Sequence, residues 1–174
     1  MIFRARLIVV LILVTTACGS SGNLEAYESV EDITSVMFDE GFTCRPQPVA
    51  TADDPGILGY ADCESGIDSM SAIIFDSEDR RIRTVAEVFG ISCLVFESER
   101  QNVAGLSNEN LAYVHGPSWT VFSGDIETMS ELADPLGGAP VEVDCQAFVA
   151  AVAAAPDFSL EGLPTDELQV LLGE

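Results

Sequence analysis

The chain has 174 residues and carries 29 aspartates and glutamates against seven basic residues, for a formal net charge of −22 at pH 7. All seven basic residues are arginine. Such a charge repels phosphate backbones and anionic head groups, which excludes nucleic acid as a partner and favours cationic ones. Acidic surface also serves solubility, so the charge alone assigns no activity.

The first 17 residues read as a signal peptide. Arg4 and Arg6 form a positive start, Leu7 to Val14 is an unbroken apolar run, and Thr15-Thr16-Ala17 is a small-residue cleavage zone. The apolar run is well short of the roughly 20 residues needed to cross a hydrocarbon core. Thr15 to Cys18 resembles the bacterial lipobox, with Thr15 at the position where leucine is usual. That resemblance implies acylation at Cys18, with diacylglycerol and palmitate-type chains, and attachment to the outer face of the cell membrane. Plain cleavage after Ala17, releasing the protein, is the other reading. Residues 18–28, with Gly19-Ser20-Ser21-Gly22-Asn23, then form a lipidated N-terminus and flexible tether.

Removing the signal leaves 157 residues, enough for one domain with its own core. We place that domain at 29–155, followed by a tail at 156–174 with a short terminal helix. Cys44, Cys63, Cys93 and Cys145 make an even set separated by 18, 29 and 51 residues, with no C-x-x-C. A zinc ribbon and a thioredoxin-type site are thereby excluded. In an exported chain the set reads as two disulfides, of which three connectivities exist. Cys44–Cys63 and Cys93–Cys145 are expected, because each joins segments that the element reading makes neighbours.

Ser29-Val30-Glu31-Asp32 opens a helix with a capping-box pattern, and Val30, Ile33, Met37 and Phe38 give it an apolar stripe that stops at Gly41. Phe42 to Val49 is a strand interrupted by prolines, hence an edge. A turn-rich loop from Thr51 to Gly59 runs into the first of two strands, Leu58 to Glu64 and Ser69 to Asp76, joined around Gly66. Ser77 caps a long helix in which Ile82, Val85, Ala86, Phe89, Cys93 and Phe96 recur at helical spacing. Polar loop follows from Gln101 to Asn110. Leu111 to Ser123 reads as one strand, broken or bulged at Gly116-Pro117. Asp125 to Leu136 is an acidic helix, Pro140 to Val143 a short strand, and Gln146 to Ala155 an alanine-rich helix. Thr165 to Leu172 holds one terminal turn of helix.

This order predicts an α+β domain: an antiparallel sheet of about four to five strands, helices packed on one face, and two disulfides. Helix-Gly-strand-Cys occurs twice, at Gly41/Cys44 and Gly138/Cys145. Val114 to Val121, which reads Val-His-Gly-Pro-Ser-Trp-Thr-Val, is followed by the acidic helix and a Gly-Gly stop. With the lipobox start and the paired cysteines, this resembles small actinobacterial lipoproteins of uncharacterised function. The resemblance implies a location and a size, and brings no catalytic residues with it.

Chemistry-bearing residues are few. His115 is the sole histidine, and Ser118 lies near it without a G-x-S-x-G elbow, so His115 reads as a solvent-facing or turn-stabilising residue. Asp53-Asp54 with Asp62 and Glu64, or Asp76 with Glu78 and Asp79, could gather around calcium, but no EF-hand pattern is present. Acids at 76–79 suit a helix N-terminus instead. Arg80, Arg81 and Arg83 are explained by pairing with those acids and with Glu87 along the helix. Trp119, flanked by Tyr113 and Phe122, reads as a core anchor. The Leu168 to Leu172 run either docks on the domain or serves a partner. No cofactor or metal motif is present. The reading is therefore a lipid-anchored extracytoplasmic domain that binds a protein or a cationic small molecule. The competing reading is an envelope hydrolase using His115 or a carboxylate pair.

Overall fold

The computed structural model describes residues 24–47, 56–66, 68–102, 111–123, 126–154 and 160–174. Six strands form one antiparallel sheet in the order β1-β2-β3-β5-β4-β6. In chain order the elements are α1 (Val30–Asp39), β1 (Thr43–Gln47), β2 (Ile57–Ser65), β3 (Asp68–Phe75), α2 (Glu78–Asn102), β4 (Leu111–His115) and β5 (Trp119–Ser123), then α3 (Ile126–Leu136), β6 (Ala139–Val143), α4 (Cys145–Ala154) and α5 (Thr165–Leu172). The α+β class, the antiparallel sheet and both disulfide pairings are as the sequence predicts. Among the described residues no helix is long and apolar enough to cross a membrane.

Two expectations need correction. The stretch read as a single broken strand is a hairpin: the Gly116 N–H donates to Trp119 O at 3.1 Å, and β4 pairs with β5 from Ala112↔Ser123 to His115↔Thr120. Pro117 has no N–H to offer a ladder, so the chain reverses there. That reversal gives six strands, not the four to five expected. The helices also cover both faces of the sheet rather than one. Successive side chains along each central strand point to opposite faces, and both sets are apolar.

On the first face α1 and α3 bury Val30, Ile33, Met37, Met129, Leu132 and Leu136 against Ala72, Val114, Trp119 and Val121. On the second, α2, α4 and α5 bury Ile82, Val85, Phe89, Phe148, Leu168 and Leu172 against Tyr113, Val141 and Val143. β4 shows the division best, with Ala112 and Val114 in the first core and Tyr113 in the second. Each fully buried leucine or valine in these layers is worth about 1.5–3 kcal/mol.

Helix α1 begins as its capping box requires: the Asp32 N–H donates to Ser29 Oγ at 3.3 Å, and the Ser29 N–H to Asp32 Oδ2 at 3.1 Å. Phe38 lies outside its buried stripe, 70% exposed. Ser77 caps α2 through the Arg80 N–H, and α2 runs on to Asn102, into the segment read as polar loop. The folded unit begins earlier than Ser29. The Glu25 N–H donates to Gly137 O at 2.7 Å, and Tyr27 meets Trp119 edge-on with ring centroids 5.3 Å apart. The tail likewise belongs to the domain, since Leu168 and Leu172 of α5 are fully buried. Residues 1–23, with the signal and Cys18, lie outside the described residues.

The two helix-Gly-strand-Cys segments lead to opposite edges of the sheet, β1 and β6, and each carries one half of a disulfide. Cys44 and Cys63 face each other directly in the β1–β2 register with Cα atoms 4.0 Å apart. Cys93 of α2 joins Cys145 at the start of α4. Both edge strands contain a proline, Pro46 and Pro140.

Candidate functional site

The arginine cluster on the first turns of α2 divides three ways. Arg83 pairs along the helix with Asp79 at 3.0 Å and donates to Leu163 O at 3.2 Å. Asp79 also accepts from the Thr165 hydroxyl at the start of α5. These bonds, that from Thr165 first, hold the Asp79 carboxyl below its ordinary range. Arg80 lies against Gly56, at the start of the segment leading into β2.

Arg81 leaves the helix surface altogether. It is fully buried, and its guanidinium grips the Glu174 carboxylate with both terminal nitrogens, at 2.6 and 2.8 Å. The pairing along the helix predicted for it is only a 3.9 Å approach to exposed Glu78. Helical spacing carries no trace of a partner 93 residues away, which is why the sequence reading missed it.

Glu174 follows Gly173, whose φ of +86° ends α5 in the left-handed region open to glycine. That turn aims the Glu174 side chain inward, where it is 5% exposed. The Tyr113 hydroxyl donates to the same carboxylate at 2.8 Å. Burial raises the Glu174 carboxyl, but the hydrogen bonds and charge of Arg81 outweigh this and hold it below its ordinary range. Burial, reinforced by the Glu174 charge, pushes the Tyr113 phenol far above its own. At neutral pH the group is thus Arg⁺, Glu⁻ and a neutral phenol.

His115 completes this neighbourhood and corrects a further expectation. It lies two residues along β4 from Tyr113, on the same side of the strand, with ring centroids 5.8 Å apart. At 8% exposure it is buried rather than solvent-facing. Its Nδ1 lies 3.4 Å from Gly116 O, so it does brace the hairpin turn. Burial first and the Arg81 charge second lower its pKa, leaving a neutral imidazole at pH 7. Thr120 stands opposite His115 across β4–β5, fully buried, with no hydrogen-bond partner for Oγ1; Arg81 Nε is also without one. Ser118 is not drawn in: its carbonyl accepts the Phe75 N–H, and no hydrogen bond joins it to His115 among the described residues.

Among the described residues the acid clusters do not assemble into a metal site. Asp62 accepts from Tyr60 and Gln47, which raises the Tyr60 phenol. Glu64 is exposed, and Asp53 and Asp54 lie outside the described residues. Asp76 accepts from the Ser77 hydroxyl. Among the described residues no three His, Cys, Asp or Glu side chains gather as metal ligands would. A groove of about 360 Å³ at the start of α1 is lined by Glu28, Ser29, Glu31, Gln47 and Leu58, but Ser29 there serves the helix cap.

Trp119 is the core anchor expected, fully buried, with Nε1 donating to Glu25 O at 2.8 Å. The outer side of α2 also carries exposed apolar residues. Val88, Ile91, Leu94 and Val95 are 38, 66, 48 and 50% exposed, and three of them recur at helical spacing as one row. Comparison with known proteins finds no matching family model, no matching curated protein and no matching solved structure.

Proposed function

We propose that the chain is an extracytoplasmic binding domain, held at the cell membrane through a lipid on Cys18, that engages a protein partner by the outer face of α2. The observation carrying this reading is the row Val88, Ile91 and Val95, with Leu94 beside it, on a helix whose opposite side fills the second core. Isolated exposed apolar residues are ordinary, but a contiguous row on a rigid element marks an interaction surface. Glu87 borders the row and the whole chain is strongly acidic, so the complementary surface is apolar with a cationic flank. The export leader and the two disulfides support an oxidising compartment outside the cytoplasm.

The hydrolase reading lacks support of this kind. Around His115, Arg81 and Tyr113 bond to Glu174 while the Thr120 hydroxyl has no hydrogen-bond partner, and none of these bonds activates a nucleophile.

A photo-crosslinking residue at position 91 tests the partner, with position 38 as the exposed apolar control. A discrete crosslinked product from position 91 alone is the expected result, and equal labelling from both positions would sink the idea. Metabolic labelling with a clickable fatty acid, lost in Cys18→Ala, tests the anchor separately.

A further inference from the structure

We infer that Arg81, Tyr113, His115 and Thr120 form a carboxylate-binding site on the second face of the sheet, occupied by the chain's own Glu174 as a displaceable plug. The geometry is that of recognition. A planar guanidinium meets a carboxylate through two parallel N–H bonds, and a phenol supplies a third donor to Oε1.

Filling a core does not call for such a group. A buried ion pair replaced by apolar side chains of similar volume is often neutral or stabilising, so stability alone does not explain a fully buried arginine here. The site also holds more hydrogen-bonding capacity than Glu174 uses. Arg81 Nε and Thr120 Oγ1 are both buried and without a partner. Buried polar atoms are usually satisfied, and two spare ones, one on the guanidinium itself and one opposite His115, suit a ligand with more oxygens to offer than this side chain brings.

The occupant and the site are carried differently. Arg81, Tyr113, His115 and Thr120 stand on α2 and the two adjacent strands β4 and β5. Glu174 follows α5, an eight-residue helix that fully buries only Leu168 and Leu172. Local opening draws on elements with few buried contacts, so the plug can leave while the sheet and α2 stay in place. The ligand class is a small molecule or peptide bearing a carboxylate, read by the fork of Arg81 and the Tyr113 hydroxyl.

The test uses the full chain carrying Glu174→Ala and sodium acetate as probe, against sodium chloride at equal ionic strength. His115 is the only histidine, so its imidazole resonances report on the site without assignment. Acetate is expected to shift that signal saturably and raise Tm in Glu174→Ala, while chloride does neither and the wild type, whose plug must first be displaced, responds only at higher acetate. Adding Arg81→Met to Glu174→Ala should abolish the response in a protein still folded by circular dichroism. Should Glu174→Ala be unfolded in chloride, acetate is expected to restore the fold. The inference is overturned if acetate and chloride act alike on Glu174→Ala, folded or not, if the Arg81→Met double variant responds as strongly, or if the wild type shows no response at any acetate concentration.

Discussion

Gly138 lies directly against the indole of Trp119: a Cβ built on Gly138 would stand 2.7 Å from Trp119 Cη2 and 2.5 Å from Val114 Cγ1. The Gly-Gly stop after α3 is therefore a packing requirement as well as a helix ending. The indole is fixed on its other side by Tyr27 and by its bond to Glu25 O, so it has no room to retreat. Gly138→Ala is expected to destabilise the domain by about 1–3 kcal/mol through overpacking. Urea unfolding followed by tryptophan fluorescence measures this, and a change below a few tenths of a kcal/mol would contradict it.

The two disulfides should differ in worth. Cys93–Cys145 closes a separation of 52 residues and Cys44–Cys63 one of 19. Chain entropy assigns them about 4 and about 3 kcal/mol. Cys44 and Cys63 are already neighbours in the β1–β2 ladder, whereas α2 and α4 are held together by side-chain packing. Replacing Cys93 and Cys145 together by alanine should lower the denaturant midpoint more than replacing Cys44 and Cys63. The reverse order would show that the edge strand depends on its crosslink.

Stability should fall with acid in a way traceable to His115. Its pKa is lowered from 6.5 in the folded state by burial and by Arg81, with Glu174 and Glu78 acting in the opposite direction. Protons therefore bind the unfolded chain more readily. The contribution is complete above pH 6.5 and is lost as pH falls below it, levelling off beneath the folded pKa. Carboxylates titrate lower still and relieve self-repulsion, so the useful quantity is the difference between wild type and His115→Gln. Measured from about pH 7.5 to about pH 5, that difference should narrow steadily. A constant offset would mean the imidazole is solvated.

Helix α5 should behave as part of the domain. Leu168→Ala removes a fully buried side chain from the second core and is expected to cost about 2–5 kcal/mol. Hydrogen exchange in the same variant should speed up first in α5. Loss confined to Tm, with α5 exchange unchanged, would mean the helix contributes nothing to local order.

Much of this architecture was legible in local signals. Ser29 and Asp32 mark the start of α1, the spacing of Ile82, Val85, Phe89 and Cys93 marks the buried side of α2, and Thr165 to Leu172 is the span of α5. The cysteine pairing followed from the neighbourhood of those elements. What could not be read were contacts without a period. Gly116-Pro117 looks the same in a broken strand as in a hairpin turn, and only the pairing of Val114 with Val121 decides. The burial of Arg81 depends on Glu174, and that of His115 on the strand and helices stacked over it. Apolar residues on both sides of β4 were the available sign that the sheet is covered twice, and Leu111 to Val114 does read that way in retrospect.

The 4.0 Å separation of the Cys44 and Cys63 Cα atoms is that of a non-hydrogen-bonded pair, so within β1 the amides of residues 44 and 46 point away from β2. Position 46 is proline and has no N–H. Along that margin β1 thus presents a single donor, at Cys44, where an incoming strand would need a repeating series. A second copy brought up to this rim finds no ladder to extend, which keeps β1 the last strand of the sheet.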